Sequence, residues 1–141
     1  MSKYKDTIYA LSTPTGKSAI AVIRISGDKS LNILKKISSI KKIIPNKTKL
    51  TLLKFEKQII DQVLVVFFKK PHSFTGEEMV EINCHGSTAI ITKISKTLES
   101  LGLRLAEPGE FTRRSLINDK LDLLQTEGLV DLINSETEKQ R

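Results

Sequence analysis

The chain has 141 residues, 39% of them apolar and 28% charged, which is typical of one globular domain and excludes a disordered chain. It contains no apolar run near the roughly 20 residues that a membrane-spanning helix needs, and its start lacks the apolar core of a signal peptide. A single cysteine excludes a disulfide framework and a cysteine-based zinc site, and it fits the reducing cytoplasm, where we expect the protein to act.

The net charge of +7 raises the question of a nucleic-acid partner. The lysines are scattered in the sequence, at Lys35, Lys36, Lys41, Lys42, Lys47, Lys49, Lys69 and Lys70. Aromatic residues do not alternate with them to stack on bases, and an AT-rich genome alone supplies such a lysine excess. The charge therefore predicts only a weak electrostatic attraction to RNA.

The first part of the chain predicts two strands and a helix. Residues 7–11 are typical of a short strand followed by a proline-containing turn, and the apolar run 19–25 is typical of an interior strand. Asp28 is expected to cap the helix, whose buried face carries Leu31, Leu34 and Ile37.

The middle of the chain predicts strands separated by polar loops. Loops are expected at 41–49 and 69–78, and strands at 50–55, 61–68 and 79–83. The six consecutive apolar residues 63–68 indicate a strand segment that is buried on both faces.

The last part of the chain predicts mainly helices. A helix over 87–101 has a buried stripe and ends at Gly102; its stripe carries Ile90, Ile91, Ile94, Leu98 and Leu101. A short strand at 103–106 and a short helix after Pro108 and Gly109 follow. Because strands and helices do not alternate strictly, we predict an α+β fold with a mixed sheet and flanking helices.

From residue 119 a further helical stripe runs through Leu124, Leu129, Leu132 and Ile133, and polar residues continue it to Arg141. This stretch has no terminating glycine, proline or apolar residue. We therefore expect the sequence to be part of a longer protein that continues beyond this helix.

Gly16-Lys17-Ser18 is the nearest approach to a nucleotide-binding motif. A phosphate-binding loop needs a glycine five residues before this triplet, where Leu11 stands, and it must open a helix. Here the triplet precedes a predicted strand. We therefore predict no nucleotide-hydrolysing site in this chain.

Arg24 and Glu81 each interrupt an apolar strand. Strand alternation puts Arg24 on one face with Ile20 and Val22, and Glu81 repeats the pattern in the strand at 79–83. A charge on such a face is costly unless it is paired or meets a ligand. Two interpretations stay open: a structural ion pair, or a polar pocket for a ligand with donors and acceptors along one edge.

Cys84 and His85 at the end of a strand could in principle form a nucleophile–base pair. Neighbouring residues of a strand point to opposite faces, however, so we expect structural roles for both. His72 lies on a predicted loop without a visible catalytic partner. No catalytic and no metal-binding residue is predicted.

Several longer motifs, in order along most of the chain, resemble those of the tRNA-uridine-modifying GTPase family called MnmE or TrmE, in its N-terminal region. They include residues 6–8, 22–27, 71–78, 84–86, 108–114 and 118–133. The resemblance implies a folate-binding and dimerisation domain at residues 1–118, similar to the folate-binding domain of aminomethyltransferases. Residues 119–141 would then be the first helix of a truncated helical domain.

The same resemblance implies function and partners. Family members are homodimers that work with a flavin-dependent partner, MnmG or GidA, on the wobble uridine (U34) of tRNA. Together they add a (carboxymethyl)aminomethyl group to its C5 atom, with 5-formyl- or 5,10-methylene-tetrahydrofolate as cofactor. GTP, potassium and magnesium belong to a GTPase domain that this chain lacks, so the chain alone is not expected to be an enzyme.

The family's folate contacts correspond to Arg24, Glu81 and Lys120, and all three residue types match. A carboxylate can accept two hydrogen bonds from the amino-pyrimidine edge of a pterin, and the cations can meet its oxygens. The family often has glycine where Ser18 and Ser87 stand, which affects turn geometry more than ligand identity. Alternatives are a basic RNA-docking module whose Arg24 and Glu81 only pair structurally, and a free-standing folate-dependent enzyme.

Overall fold

The computed structural model describes residues 4–12 and 19–118 of the chain. Six strands form one sheet in the order β3-β4-β5-β2-β1-β6, in which all neighbours are antiparallel except β1 and β6. With three helices, this confirms the predicted α+β fold with a mixed sheet. The elements are β1 Ile8–Leu11, β2 Ile20–Ser26, α1 Ser30–Ile37, β3 Lys49–Phe55, β4 Gln58–Phe68, β5 Met79–His85, α2 Thr88–Ser100, β6 Arg104–Leu105 and α3 Glu110–Ile117.

One face of the sheet carries the hydrophobic core. Strand alternation places Ile23, Val65 and Ile82 on this face, where each is 1% exposed or less. Helices α1 and α2 pack against it through Leu34 and Leu98, which are fully buried. The core is therefore a single layer between one sheet face and two helices.

The opposite face, which we call the open face, is only partly covered. Ile20 and Leu50 on it are each 59% exposed, and Leu64 is 44% exposed. The prediction that residues 63–68 are buried on both faces is therefore wrong. Val63, Val65 and Phe67 enter the core, but α1 and α2 lie on that side alone and leave the alternate residues of β4 less covered.

The start of α1 also differs from the prediction. Asp28 is exposed and approaches Lys70 at 3.8 Å, while the N-cap position is Lys29, without a side-chain cap. Thr7, the residue before β1, instead accepts a hydrogen bond at its Oγ1 from the backbone N–H of Lys29, at 3.1 Å. A tertiary contact thus holds the backbone where the chain enters α1, and Asp28 does not have the predicted capping role.

Helix α2 agrees closely with the prediction. Ser87 is its N-cap and accepts from the N–H of Ile90, and Gly102 after its end has a φ of +94°. No helix within the described ranges is long and apolar enough to cross a membrane. The predicted turn with Gly16-Lys17-Ser18 and the helix and domain predicted at 119–141 lie outside the described residues.

Candidate functional site

Arg24 and Glu81 lie directly opposite each other on the neighbouring strands β2 and β5. Arg24 Nε donates to Glu81 Oε1 at 3.0 Å, and the two side chains are 39% and 23% exposed. Within the described part of the chain, the Nη groups of Arg24 and Oε2 of Glu81 form no other hydrogen bond. The pair is therefore a partly solvated ion pair with unused donors and an unused acceptor.

The pair lines a small cavity on the open face. Its volume is about 190 Å³, and its other walls are Phe68, Phe74 and Met79. Charged groups together with aromatic rings are the lining of a site for a flat, polar ligand. The structural ion pair and the polar pocket, which the sequence left as alternatives, are therefore compatible, because the ion pair forms part of the pocket wall.

The loop at 69–78 carries Phe74 to this cavity and is fastened from two sides. From β2, Ser26 Oγ donates to Glu77 Oε1 at 2.7 Å and lies 2.7 Å from Thr75 Oγ1. From α3 and its C-cap, Ser115 donates to the carbonyl of Phe74 and Asn118 donates to that of Thr75 at 3.0 Å. Phe74 is therefore held at the pocket although its side chain is 42% exposed.

Beneath this loop lies a buried ionic cluster around Arg114, which is 0% exposed. Its guanidinium donates to Asp6 Oδ1 at 2.7 Å, to Glu77 Oε1 at 3.0 Å and to Glu110 Oε2 at 3.1 Å. Its guanidinium carbon also lies 4.2 Å from the centre of the Tyr4 ring. One side chain thus joins the start of the chain, the pocket loop and α3.

A second arginine strengthens the cluster from its solvent side. Arg104 donates to both oxygens of Glu110, at 2.9 and 2.8 Å, and to Asp6. The hydrogen bond from Arg104 overcomes the effect of burial and lowers the pKa of Glu110 to about 2. For Asp6, burial acts in the opposite direction, but the two arginines together still lower its pKa.

The sequence did not predict the role of this cluster. Arg114 stands in the family motif at 108–114, yet motif membership does not say what a residue contacts. A signal was present, since the short helix α3 has few apolar residues for a buried face. Its buried positions are Glu110, Thr112, Arg114 and Ser115.

Cys84 and His85 lie on opposite sides of β5, as predicted. Cys84 is buried, and burial, aided by the charge of Asp61, raises the pKa of its thiol to about 11, so it stays protonated at neutral pH. His85 instead meets Asp61, whose Oδ1 lies 2.8 Å from Nδ1 and whose Oδ2 accepts from the His85 N–H at 2.9 Å. The sequence prediction missed Asp61 because it lies 24 residues away.

Of the other residues considered in the sequence, His72 does not line the cavity. His72 is exposed on its loop, and Lys120 lies outside the described residues. Between residues 4 and 12 and between 19 and 118, no group of three or more His, Cys, Asp or Glu side chains is arranged so that it could hold a metal ion.

Comparison with known proteins identifies the family. Residues 7–120 match the family model described as GTP-binding protein TrmE N-terminus. The tRNA modification GTPase MnmE of Fervidobacterium nodosum is 47% identical over 141 residues, which cover 96% of this chain and 31% of that protein. The MnmE of Neorickettsia sennetsu is 50% identical over 135 residues, or 95% of this chain and 24% of that protein.

The MnmE of Anaplasma phagocytophilum is 46% identical over 141 residues, which cover 99% of this chain and 32% of that protein. The chain thus spans between about a quarter and a third of the length of these relatives. Because the family model covers most of the chain, the chain belongs to the MnmE/TrmE family of tRNA modification GTPases and corresponds to its N-terminal region.

Proposed function

We propose that this chain is a folate-binding and dimerising unit of a tRNA-modifying GTPase. The observation that carries the proposal is the partly exposed Arg24–Glu81 pair at a cavity that two phenylalanines also line. The expected ligand is a tetrahydrofolate derivative, either 5-formyl- or 5,10-methylene-tetrahydrofolate. Lys120 is proposed as a third contact on the strength of the family resemblance alone.

The chemistry of the cavity suits a pterin. Glu81 can accept two hydrogen bonds from the amino-pyrimidine edge, and Arg24 can donate to a carbonyl or formyl oxygen. Phe74 offers an aromatic face to a flat ring. At about 190 Å³ the cavity holds part of such a ligand, so the remainder would extend over the open face.

The activity of the whole protein is also part of the proposal. With the flavin-dependent partner MnmG, it would add a (carboxymethyl)aminomethyl group to C5 of U34 in tRNA, in the cytoplasm. GTP hydrolysis, with its potassium and magnesium, would belong to other regions of the longer family proteins. This chain would supply the folate-binding site, and none of its described residues would act as a catalytic group.

A homodimer is supported by the open face. Ile20, Leu50 and Leu64 expose apolar side chains on one side of the sheet, which in a monomer would contact water. A second copy could cover them by packing the same face against its own, as isologous dimers do. The folate pocket borders this surface, since Arg24 lies on the same face as Ile20.

Replacing Glu81 by Ala tests the ligand site. We expect isothermal titration calorimetry with 5-formyltetrahydrofolate to show binding for the unchanged chain and none for the variant, because the pterin edge loses its acceptor. Glu56→Gln, on the exposed turn between β3 and β4, is the control and should bind normally. Unchanged affinity of Glu81→Ala would refute the assignment.

A parallel titration with tRNA separates this proposal from an RNA-docking module. The folate site predicts that Glu81→Ala leaves any tRNA affinity unchanged. A chain that binds tRNA but no folate would instead favour the alternative.

A further inference from the structure

The fold gathers lysines that are scattered in the sequence around one groove, which we call the lysine groove. It lies between α1, the connection from α1 to β3, and the first residue of β3, and its volume is about 720 Å³. It shares no residue with the cavity beside Arg24 and Glu81. Five lysines line it: Lys35, Lys41, Lys42, Lys47 and Lys49.

The charge of this groove is not compensated within the described part of the chain. None of its five lysines forms a salt bridge with a carboxylate there, and Lys49 Nζ donates only to the carbonyl of Lys42 at 3.2 Å. Lysines this close together repel one another, so an anionic partner would relieve the repulsion. The groove is therefore complementary to a partner that carries several negative charges.

Apart from Thr48, the rest of the lining is apolar. Leu31 and Ile43 are half-buried and pack against the core, and Ile44 is 63% exposed. A phosphate backbone would use the lysines but not these side chains, and no aromatic residue lines the groove to stack on bases. A partner that contacts both the lysines and the apolar side chains of the groove needs apolar groups flanked by carboxylates.

We propose that the lysine groove docks an acidic amphipathic segment of a partner protein. An amphipathic helix lays its apolar face into such a groove, here against Leu31, Ile43 and Ile44, and its flanking carboxylates would meet the lysines. Charge complementarity sets the orientation and accelerates association, while the apolar contacts resist dissociation. The proposal does not depend on folate binding.

A peptide probe tests the groove on the full chain. The probe is a fluorescein-labelled helical peptide of about 16 residues, with leucines at the spacing of one helix face and glutamates elsewhere. A permuted peptide of the same composition distributes the leucines around the helix. Fluorescence anisotropy should show binding of the probe at least tenfold tighter than that of the permuted peptide.

Substitutions in and outside the groove show where on the protein the peptide probe binds. Lys41→Gln with Lys42→Gln should weaken the probe at least tenfold, and Ile44→Ser should weaken it severalfold. The matched control, Lys93→Gln with Lys96→Gln on exposed positions of α2, removes the same charge elsewhere and should change nothing. Circular dichroism confirms that each variant is folded.

Three results would overturn the proposal. Equal binding of the permuted peptide, or equal loss in the α2 control, would show attraction by net charge alone. Failure of the probe to bind would show that the groove does not accept such a segment. Tight binding of an RNA oligonucleotide of equal charge, unaffected by Ile44→Ser, would assign the lysines to RNA instead.

Discussion

Arg114 connects parts of the chain that are distant in sequence. Its buried guanidinium meets Asp6, Glu77 and Glu110, so three carboxylates surround one fully buried cation. Removing one member of such a cluster leaves an uncompensated charge, which typically costs about 3–5 kcal/mol. Through Glu77 the cluster also supports the loop that carries Phe74. Protonation of the carboxylates in this cluster should therefore affect both the stability of the fold and the position of Phe74 at the pocket.

Acid should destabilise the protein through Glu110. Its pKa of about 2 in the folded state lies below the ordinary value of 4.5, so its contribution is present above about pH 4.5 and is lost as the pH falls toward 2. This contribution is on the order of 3 kcal/mol at neutral pH. Asp6 acts in the same direction.

Urea unfolding measured between pH 7 and pH 2 checks this expectation. The unchanged chain should lose stability across the acid range, and Glu110→Gln should be less stable at pH 7 with a flatter pH dependence. Glu107→Gln, whose side chain pairs with Arg113 at the surface, is the control. Parallel pH curves for the native chain and Glu110→Gln would contradict the assignment.

Among the elements, the junction of β2 and α1 depends on close backbone approach. Gly27 follows β2 with a φ of +137°, and its N–H donates to the carbonyl of Glu78 at 2.9 Å. A Cβ atom at this position would lie 2.5 Å from Thr7 Oγ1 and 2.7 Å from Thr7 Cα. Glycine is thus required both by the backbone conformation and by the neighbouring chain.

Gly27→Ala should therefore be strongly destabilising. We expect a loss of about 3 kcal/mol or more, because strain at positive φ adds to a clash with a backbone atom. Gly102→Ala is the matched control, since its φ is +94° but nothing lies within 4 Å of the added Cβ. It should cost only about 1–2 kcal/mol. Thermal unfolding of both variants measures the difference, and equal losses would show that contact with Thr7 is unimportant.

At the scale of the whole molecule, the sheet has one covered and one open face. Helices α1 and α2 bury the first, while among the described residues the loop at 69–78 and α3 cover one end of the second. The exposed apolar residues, the Arg24–Glu81 pair and the cavity lie together on the remainder. The proposed dimer and folate site thus occupy the same surface, and the lysine groove is separate.

Leu64→Glu tests the proposed dimer. Burying a leucine contributes about 1.5–3 kcal/mol, and a two-fold interface counts each substitution twice, so the dissociation constant should rise at least about a hundredfold. Sedimentation equilibrium should show a dimer for the unchanged chain and mainly monomer for the variant. Ile44→Glu, 63% exposed in the lysine groove, should remain dimeric. A Leu64→Glu variant that associates normally would exclude this face.

Local pattern in the sequence was enough to predict much of the fold. The apolar run at 19–25 located β2, helical periodicity located α2, and charges within apolar strands marked Arg24 and Glu81. These features depend on neighbours within a few residues, so they can be read along the chain. The family motifs indicated the protein family. The roles of Lys120 as a ligand contact and of folate as the ligand rest on those motifs and remain predictions.

Only the tertiary structure decided which of these features meet. Arg24 and Glu81 are 57 residues apart and pair because β2 and β5 are neighbours in one register. The burial of Arg114, the contact between Asp61 and His85, and the gathering of the lysines likewise depend on strand order and loop paths. Residues 63–68 have the same apolar pattern whether one or two layers cover the sheet, so only packing decides that Leu64 is exposed. Periodicity determines which residues can share a face, but long-range packing determines what that face contacts.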